Sequence, residues 1–278
     1  MNRVLHCGRF RLDLSRPLLM GIVNLTDNSF SGDGLHGVAE RAIAQGLRMV
    51  EAGAAMLDLG AESSRPGMEP VCAQQELDRL LPVLEGLRDC GVPLSVDTVK
   101  PEVMRAAIAA GADLINDIAA LQASGAIGAV AESQAAVCLM HMQGGPRTMQ
   151  IAPHYGDAVS EVRAFLLERV AACHAAGIAS ERIVIDPGFG FGKTLEHNLD
   201  LLRHLDRFVD TGLPVLAGLS RKSMLGQITG QPVGERVSAS VAAALLAAQR
   251  GASIIRVHDV AATRDALAVW QAVQKGRA

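Results

Sequence analysis

Short apolar runs alternate with longer amphipathic stretches along almost the whole chain, and nearly every run ends in a polar residue just before a glycine or proline. The runs at 18–25, 55–60, 93–97, 113–118, 136–141, 182–185, 214–218 and 253–257 are rich in Val, Ile and Leu. Such runs are too short for helices, so they predict buried strands. Helical stretches are predicted at 38–52, 73–90, 124–134, 157–176, 234–250 and 261–274, with another opening at Pro101. A proline in the first helical turn costs nothing, because its missing N–H would have no partner there. Eight regular strand–helix units of near-equal size predict an α/β fold, a closed (β/α)8 TIM barrel rather than a doubly wound sheet. Ahead of them, residues 4–14 alternate weakly about Gly8-Arg9 and predict a short N-terminal β-hairpin plugging one end of the barrel.

The bulk properties narrow the function. The 278 residues are 49% hydrophobic with no low-complexity tract, enough for a large core, and the regular pattern makes 1–278 one domain. A net charge of −3 supplies no global basic field, so nucleic acid is not the expected partner, and any anion must be held by local groups. The cysteines Cys7, Cys72, Cys90, Cys138 and Cys173 are scattered without a Cys-x-x-Cys pair, and read as reduced packing residues. The first apolar run, 18–23, follows Pro17 and is too short for a signal or membrane segment, so a cytoplasmic protein with no membrane partner is expected.

In a barrel the strand ends share one face, and their polar residues become a candidate site: Asn24, Asp58, Arg65, Asp97, Asn116, Met140, His141, Asp186, Ser220, Arg221, Lys222, Arg256 and His258. The sharpest signal is Asp186-Pro-Gly-Phe-Gly-Phe-Gly-Lys193, an acid at a strand end followed by a loop whose glycines allow turns other residues resist. Asp97, Asn116 and Asp186 suit a flat heterocycle presenting N–H and C=O groups. Arg65, Lys222, Arg256 and His258 can converge on a phosphate-like anion, because the first, second and eighth strands are neighbours in a closed barrel. Asn24 brings oxygen without charge and suits a Mg²⁺ that keeps most of its water. Asp58 lies inside its strand, where a ligand or buried donors would equally use its carboxylate. His141 reads either as a site residue or as a core-edge histidine whose bonds are satisfied. Arg221 and Lys222 cannot both point inward from an extended segment, so one is a surface charge.

Together, Met20-Gly-Ile-Val-Asn-Leu-Thr26, Asp58-Leu-Gly-Ala-Glu-Ser-Ser-Arg-Pro-Gly67, Ser95-Val-Asp-Thr98, Asn116-Asp-Ile118, Met140-His-Met-Gln-Gly144, Asp186 to Lys193, Ser220-Arg-Lys-Ser-Met224 and Arg256-Val-His-Asp-Val260 resemble bacterial dihydropteroate synthases of the pterin-binding family. The resemblance covers nearly the whole chain in order. It implies a homodimeric transferase of folate biosynthesis, the target of sulfonamides, that joins 6-hydroxymethyl-7,8-dihydropterin diphosphate to p-aminobenzoate and releases pyrophosphate with Mg²⁺. By position, it implies that Asp97, Asn116, Asp186 and Lys222 hold the pterin with Met140 packed on it. Arg65, Arg256 and His258 would hold the diphosphate with Asn24 and Mg²⁺, Val257 lying between the last two in the substrate-binding set. Ser64, Phe191 and Ser223 would border the aminobenzoate. A pterin-binding paralogue without synthase activity and a pterin-dependent methyltransferase are the competing readings.

The chain departs from the family in its first loop, Asn24-Leu-Thr-Asp-Asn-Ser-Phe-Ser-Gly-Asp-Gly34, where proline is replaced by Asp27, an acid by Asn28, and a second acid has moved from Gly32 to Asp33. Asp33 is therefore the candidate to stabilise positive charge on the pterin carbon. Arg65, Lys222, Arg256 and Asp33 form the expected catalytic set. No nucleophilic side chain is needed, since Mg²⁺, Arg and Lys can stabilise charge leaving with the diphosphate. The helix 234–250 carries no charge from Val237 to Gln249, although an outer barrel helix should have a polar face, so its outside is expected to be buried in a twofold homodimer.

Overall fold

The computed structural model describes residues 4–25, 35–62, 71–145 and 148–275. A hairpin of β1 (Val4–Cys7) and β2 (Phe10–Asp13) precedes eight parallel strands: β3 (Leu18–Asn24), β4 (Met56–Gly60), β5 (Leu94–Asp97), β6 (Leu114–Asp117), β7 (Ala136–Met140), β8 (Ile183–Asp186), β9 (Leu216–Ala217) and β10 (Ile254–Val257). Their order around the sheet is β8-β7-β6-β5-β4-β3-β10-β9, and a parallel bridge between Ile185 and Val215 joins the two ends. The sheet is thus a closed barrel, as the eight repeats predicted.

Alternation along each strand sorts the side chains into two layers. Leu57, Leu59, Val96, Ile115, Val137, Leu139, Ile183, Ile185, Ile255 and Val257 face outward into the core shared with the helices. Met20, Met56, Leu114, Ala136, Cys138, Val184, Leu216 and Ile254 fill the inside, joined by Leu5, Cys7 and Leu14. The hairpin therefore plugs the barrel from below, as its weak alternation predicted. Its turn is pinned at Gly8, where φ is +54 and a side chain would strike Asp113. Arg9 then donates to both carboxylate oxygens of Asp113, at 3.0 and 2.9 Å.

The outer ring contains α1 (Leu35–Glu51), α2 (Ala73–Leu87), α3 (Pro101–Ala109), α4 (Ala126–Ala131), α5 (Ala158–Ala175), α6 (Leu195–Arg203), α7 (Asp206–Val209), α8 (Ser223–Thr229), α9 (Val237–Gln249) and α10 (Val260–Lys275). Three of these, α6, α7 and α8, fall where only connections were expected. Thr194 opens α6 with a capping box, its hydroxyl accepting from the His197 amide. The helix expected at 124–134 shrinks to α4, because Gly125 enters its cap with φ +85. The expected strand 214–218 pairs with β10 over two residues only, Leu216 and Ala217.

Candidate active site at the barrel mouth

Parallel pairing sets the site. Asn24 is level with Gly60, Gly60 with Asp97, and Asp97 with Asn116, while Met140 is level with Asp186. These inward positions come from six different strands, β3 to β8, so the barrel itself, rather than any loop, fixes their spacing.

At the centre lies Asp58, which is fully buried. It accepts from Ser95 Oγ at 2.5 Å, from Asn116 Nδ2 at 3.2 Å and from Arg256 Nε at 2.5 Å. The Arg256 fork also donates through Nη2 to Asp97 Oδ2 at 3.0 Å. Asp58 is thus satisfied by protein donors. It is the hub that orients Arg256 and Asn116.

Burial pushes the Asp97 carboxyl up to about 7, against the pull of Arg256. Burial also raises Asp186, opposed first by the Gly188 amide, which donates to its Oδ1 at 2.7 Å. Lys222 is pushed down to about 7 by burial, against the pull of Asp186. Its ammonium donates to the Phe189 carbonyl and stands 4.1 Å over the Phe191 ring. A wall that holds the Asp97 carboxyl and the Lys222 ammonium, both shifted to about 7, beside the Asn116 amide can both give and accept hydrogen bonds, which suits a heterocycle with mixed donors and acceptors.

The basic side of the mouth is built from the segments that follow β9 and β10. Ser220 Oγ and His258 Nδ1 lie 2.9 Å apart, and the His258 amide donates to the same hydroxyl. Arg221, in a left-handed turn with φ +58, swings away and binds Asp259 through Nε at 3.0 Å and Nη2 at 2.6 Å. That turn is how adjacent basic residues divide: Lys222 enters the site and Arg221 ties its loop to the next. Ser223 follows as the first residue of α8.

Asp97, Asn116, Met140, Asp186, Phe191, Lys222 and Arg256 are brought together, with Asn24 ending β3 and His258 directly following the adjoining β10. Val257 is corrected: at 2% exposure its side chain packs in the outer layer, because it alternates with the inward Arg256. Only its backbone is available to the site. His141 is a core-edge histidine. It is buried, edge-on to Phe165 at 5.0 Å, and held down to about 3 by burial and the neighbouring Lys193. The calls on Asp27, Asn28, Gly32, Asp33, Ser64 and Arg65 lie outside the described residues. Sequence reasoning missed Ser95 and Lys193. The first shows only as a polar residue at an inward position, the second as the end of the glycine motif.

No group of three or more His, Cys, Asp or Glu residues suited to a metal occurs among the described residues. Among the described residues, the end of β3 offers the neutral Asn24 amide as an oxygen donor. This suits a strongly hydrated cation that binds mainly to substrate oxygens, rather than a protein-caged metal.

Residues 20–258 match the pterin binding enzyme family. The dihydropteroate synthase of Haemophilus influenzae is 50% identical over 94% of this chain and 95% of its own. That of Escherichia coli (strain K12) is 49% identical over 94% and 93%. Among solved structures, Xanthomonas albilineans dihydropteroate synthase with 4-aminobenzoic acid is 55% identical, with a TM-score of 0.93 over 99% of both chains. The same enzyme in complex with 7,8-dihydropteroate is 52% identical, with a TM-score of 0.87 over 98% of this chain and 99% of that one. The Yersinia pestis enzyme in a sulfonamide drug complex is 48% identical, with a TM-score of 0.93 over 98% and 99%.

Proposed function

Because this chain belongs to the pterin-binding enzyme family, as one of its dihydropteroate synthases, we propose a division of labour for the residues at its barrel mouth. The activity is the condensation of 6-hydroxymethyl-7,8-dihydropterin diphosphate with p-aminobenzoate to give 7,8-dihydropteroate and pyrophosphate. Asp97, Asn116 and Asp186 hold the edge of the pterin, Met140 and Lys222 its face, and Arg256, His258 and Arg65 the diphosphate. Ser64, Phe191 and Ser223 border the aminobenzoate. The observation that carries this reading is the Asp58 hub, which fixes Arg256 between the pterin acid Asp97 and the anion side.

Asn24 would hold Mg²⁺, which would supply charge neutralisation to the departing diphosphate. The protein's own part is electrostatic and positional. Arg256 and Lys222 would stabilise the negative charge that grows on the leaving oxygen, and because Arg256 is fixed by two acids and Lys222 by the Phe189 carbonyl, little reorganisation would be needed during the reaction. Holding the amine and the pterin carbon in contact converts an encounter of two molecules into a unimolecular step, worth on the order of several kcal/mol. Asp33, brought near the pterin carbon, would stabilise cationic character there.

The deciding experiment measures pyrophosphate release with and without p-aminobenzoate. Release that depends on the amine, with dihydropteroate formed in equal amount, is expected. Pterin binding without release would instead mark a non-catalytic paralogue, and methyl transfer would mark the third reading. Sulfonamides should compete with p-aminobenzoate, raising its KM without lowering the limiting rate.

A homodimer is part of the same reading. Leu246 on α9 and Val269 and Val273 on α10 are exposed at 41%, 67% and 63%, on helices that pack side by side. A C2 pair would cover them. Monomer mass in light scattering at micromolar concentration would remove this element. We further place the enzyme in the cytoplasm. Among the described residues no helix is long and apolar enough to cross a membrane.

A further inference from the structure

Lys193 ends the glycine motif, and its side chain turns back beneath the loop it closes, only 3% exposed. Its Nζ donates to the Gly188 carbonyl at 2.9 Å and the Phe191 carbonyl at 2.9 Å. It also lies 3.0 Å from His141 Nδ1 and 3.3 Å from the His141 carbonyl. Burial lowers this group to about 7 against the pull of Asp186, and in its ammonium form the acceptors around it use all three protons. The bonds join two elements, the 187–192 loop after β8 and the end of β7. The loop can lie so close only because Gly188 has no side chain: its φ is +72, and a Cβ would run into the His141 carbonyl oxygen.

Each loop residue that Lys193 grips has a second duty at the site. Gly188, held by its carbonyl, gives its amide proton to Asp186 Oδ1 at 2.7 Å. Phe191, held by its carbonyl, presents its ring to Lys222 Nζ at 4.1 Å. An apolar side chain at 193 would leave several inward-facing acceptors without partners, and a loop with unsatisfied buried carbonyls moves to find water. Lys193 itself is too enclosed to meet substrate.

We propose that Lys193 is a positioning residue for the pterin pocket, its buried ammonium clasping the 187–192 loop to the end of β7 so that Asp186 and Phe191 stand at working geometry. The role rests on the reading of this mouth as a pterin site. It goes beyond that reading in assigning the geometry of the acid and of the aromatic wall to one side chain that touches neither substrate.

The test compares the full-length parent with Lys193→Met, His141→Phe and the double variant. Pterin diphosphate affinity is measured by calorimetry with Mg²⁺ and without p-aminobenzoate, alongside kcat and both KM values. Losing a well-placed hydrogen bond to a charged or buried group costs about 10- to 100-fold in affinity. A pterin affinity loss of about 10- to 100-fold is therefore expected for Lys193→Met, with a raised KM for p-aminobenzoate. His141→Phe removes one acceptor and should lose less, and the double variant should be no worse than Lys193→Met, since the two act through one clasp. Val170→Ala, in the outer layer of α5, controls for simple destabilisation and should lower the melting temperature with affinity unchanged. Lys193→Met that loses stability but keeps pterin affinity within about twofold would overturn the role. If that variant does not fold, unchanged affinity in His141→Phe overturns it. A parent that binds pterin without forming dihydropteroate would remove the synthase reading, while the clasp is still judged by the affinities.

Discussion

Replacing Arg256 by Met tests the centre of the barrel most directly. The guanidinium is shared by Asp58, which is fully buried, and Asp97, whose side chain is 18% exposed. Removing one partner of a buried ion pair typically costs about 3–5 kcal/mol, because the remaining charge is left uncompensated. Two features pull this case to the lower end. Asp58 keeps the Ser95 hydroxyl and the Asn116 amide. Asp97 already sits near 7 and can take up a proton. A loss of about 3 kcal/mol at pH 8 follows, or roughly 6–12 °C in melting temperature for a chain of this size. The pH dependence has a definite sign. Arg256 holds the Asp97 carboxyl down, so without it the folded-state value rises above 7 while the unfolded value stays ordinary. The folded variant then keeps a proton that the unfolded chain releases, and its stability falls more steeply with rising pH than the parent's. Urea unfolding followed by circular dichroism at pH 5.5 and 8, without ligands, should show the penalty growing toward pH 8. Arg256→Lys should recover part of it, since the charge returns without the fork that bridges two acids. A penalty below about 1 kcal/mol, or one equal at both pH values, would refute the claim that Arg256 neutralises a shared buried site.

Three other outcomes are expected. For Asp97→Asn, the stability difference from the parent should shift in favour of the variant between pH 5 and 8, by about 1–2 kcal/mol after solvent screening. The parent's raised carboxyl contributes fully below its ordinary value of 3.8 and loses that contribution as pH passes through about 7; a pH-independent difference in urea unfolding would count against the shift. Gly188→Ala should cost about 2–4 kcal/mol and weaken pterin binding, because it places a side chain at φ +72 against a backbone carbonyl; calorimetry showing parental affinity would contradict this. Asp33→Asn should lower kcat while leaving pterin diphosphate affinity within about a few-fold, as for a contact made mainly in the transition state; steady-state rates equal to the parent's, or an equal loss in Asp27→Asn, would assign the moved acid no role.

Most of the barrel was legible because each strand buries a complete apolar face, and a continuous Val/Ile/Leu run has few other uses at that length. The site's membership was legible for a related reason. Once eight parallel strands close, an inward residue at a C-terminal end has only the mouth to occupy, which is how Asp97, Asn116, Asp186 and Arg256 could be grouped before any contact was known. What escaped depends on a single residue or on distance. Val257 was placed with its neighbours by adjacency, though alternation turns it to the helices. The helices α6 and α8 were hidden because each begins directly after a loop whose glycine or basic motif drew the reading to chemistry. Asp58 could not be assigned either way, since its role requires Ser95, Asn116 and Arg256, the last 198 residues away in the chain. A carboxylate midway along a strand looks the same in sequence whether its partners are a ligand or the protein. The difference is made by register: only pairing of β3 with both β4 and β10 sets the Arg256 fork over Asp58 and Asp97 together. The buried charge of this site is therefore a property of barrel closure. Perturbing the closing strands β9 and β10 should disturb Asp97 titration even where no site residue is changed.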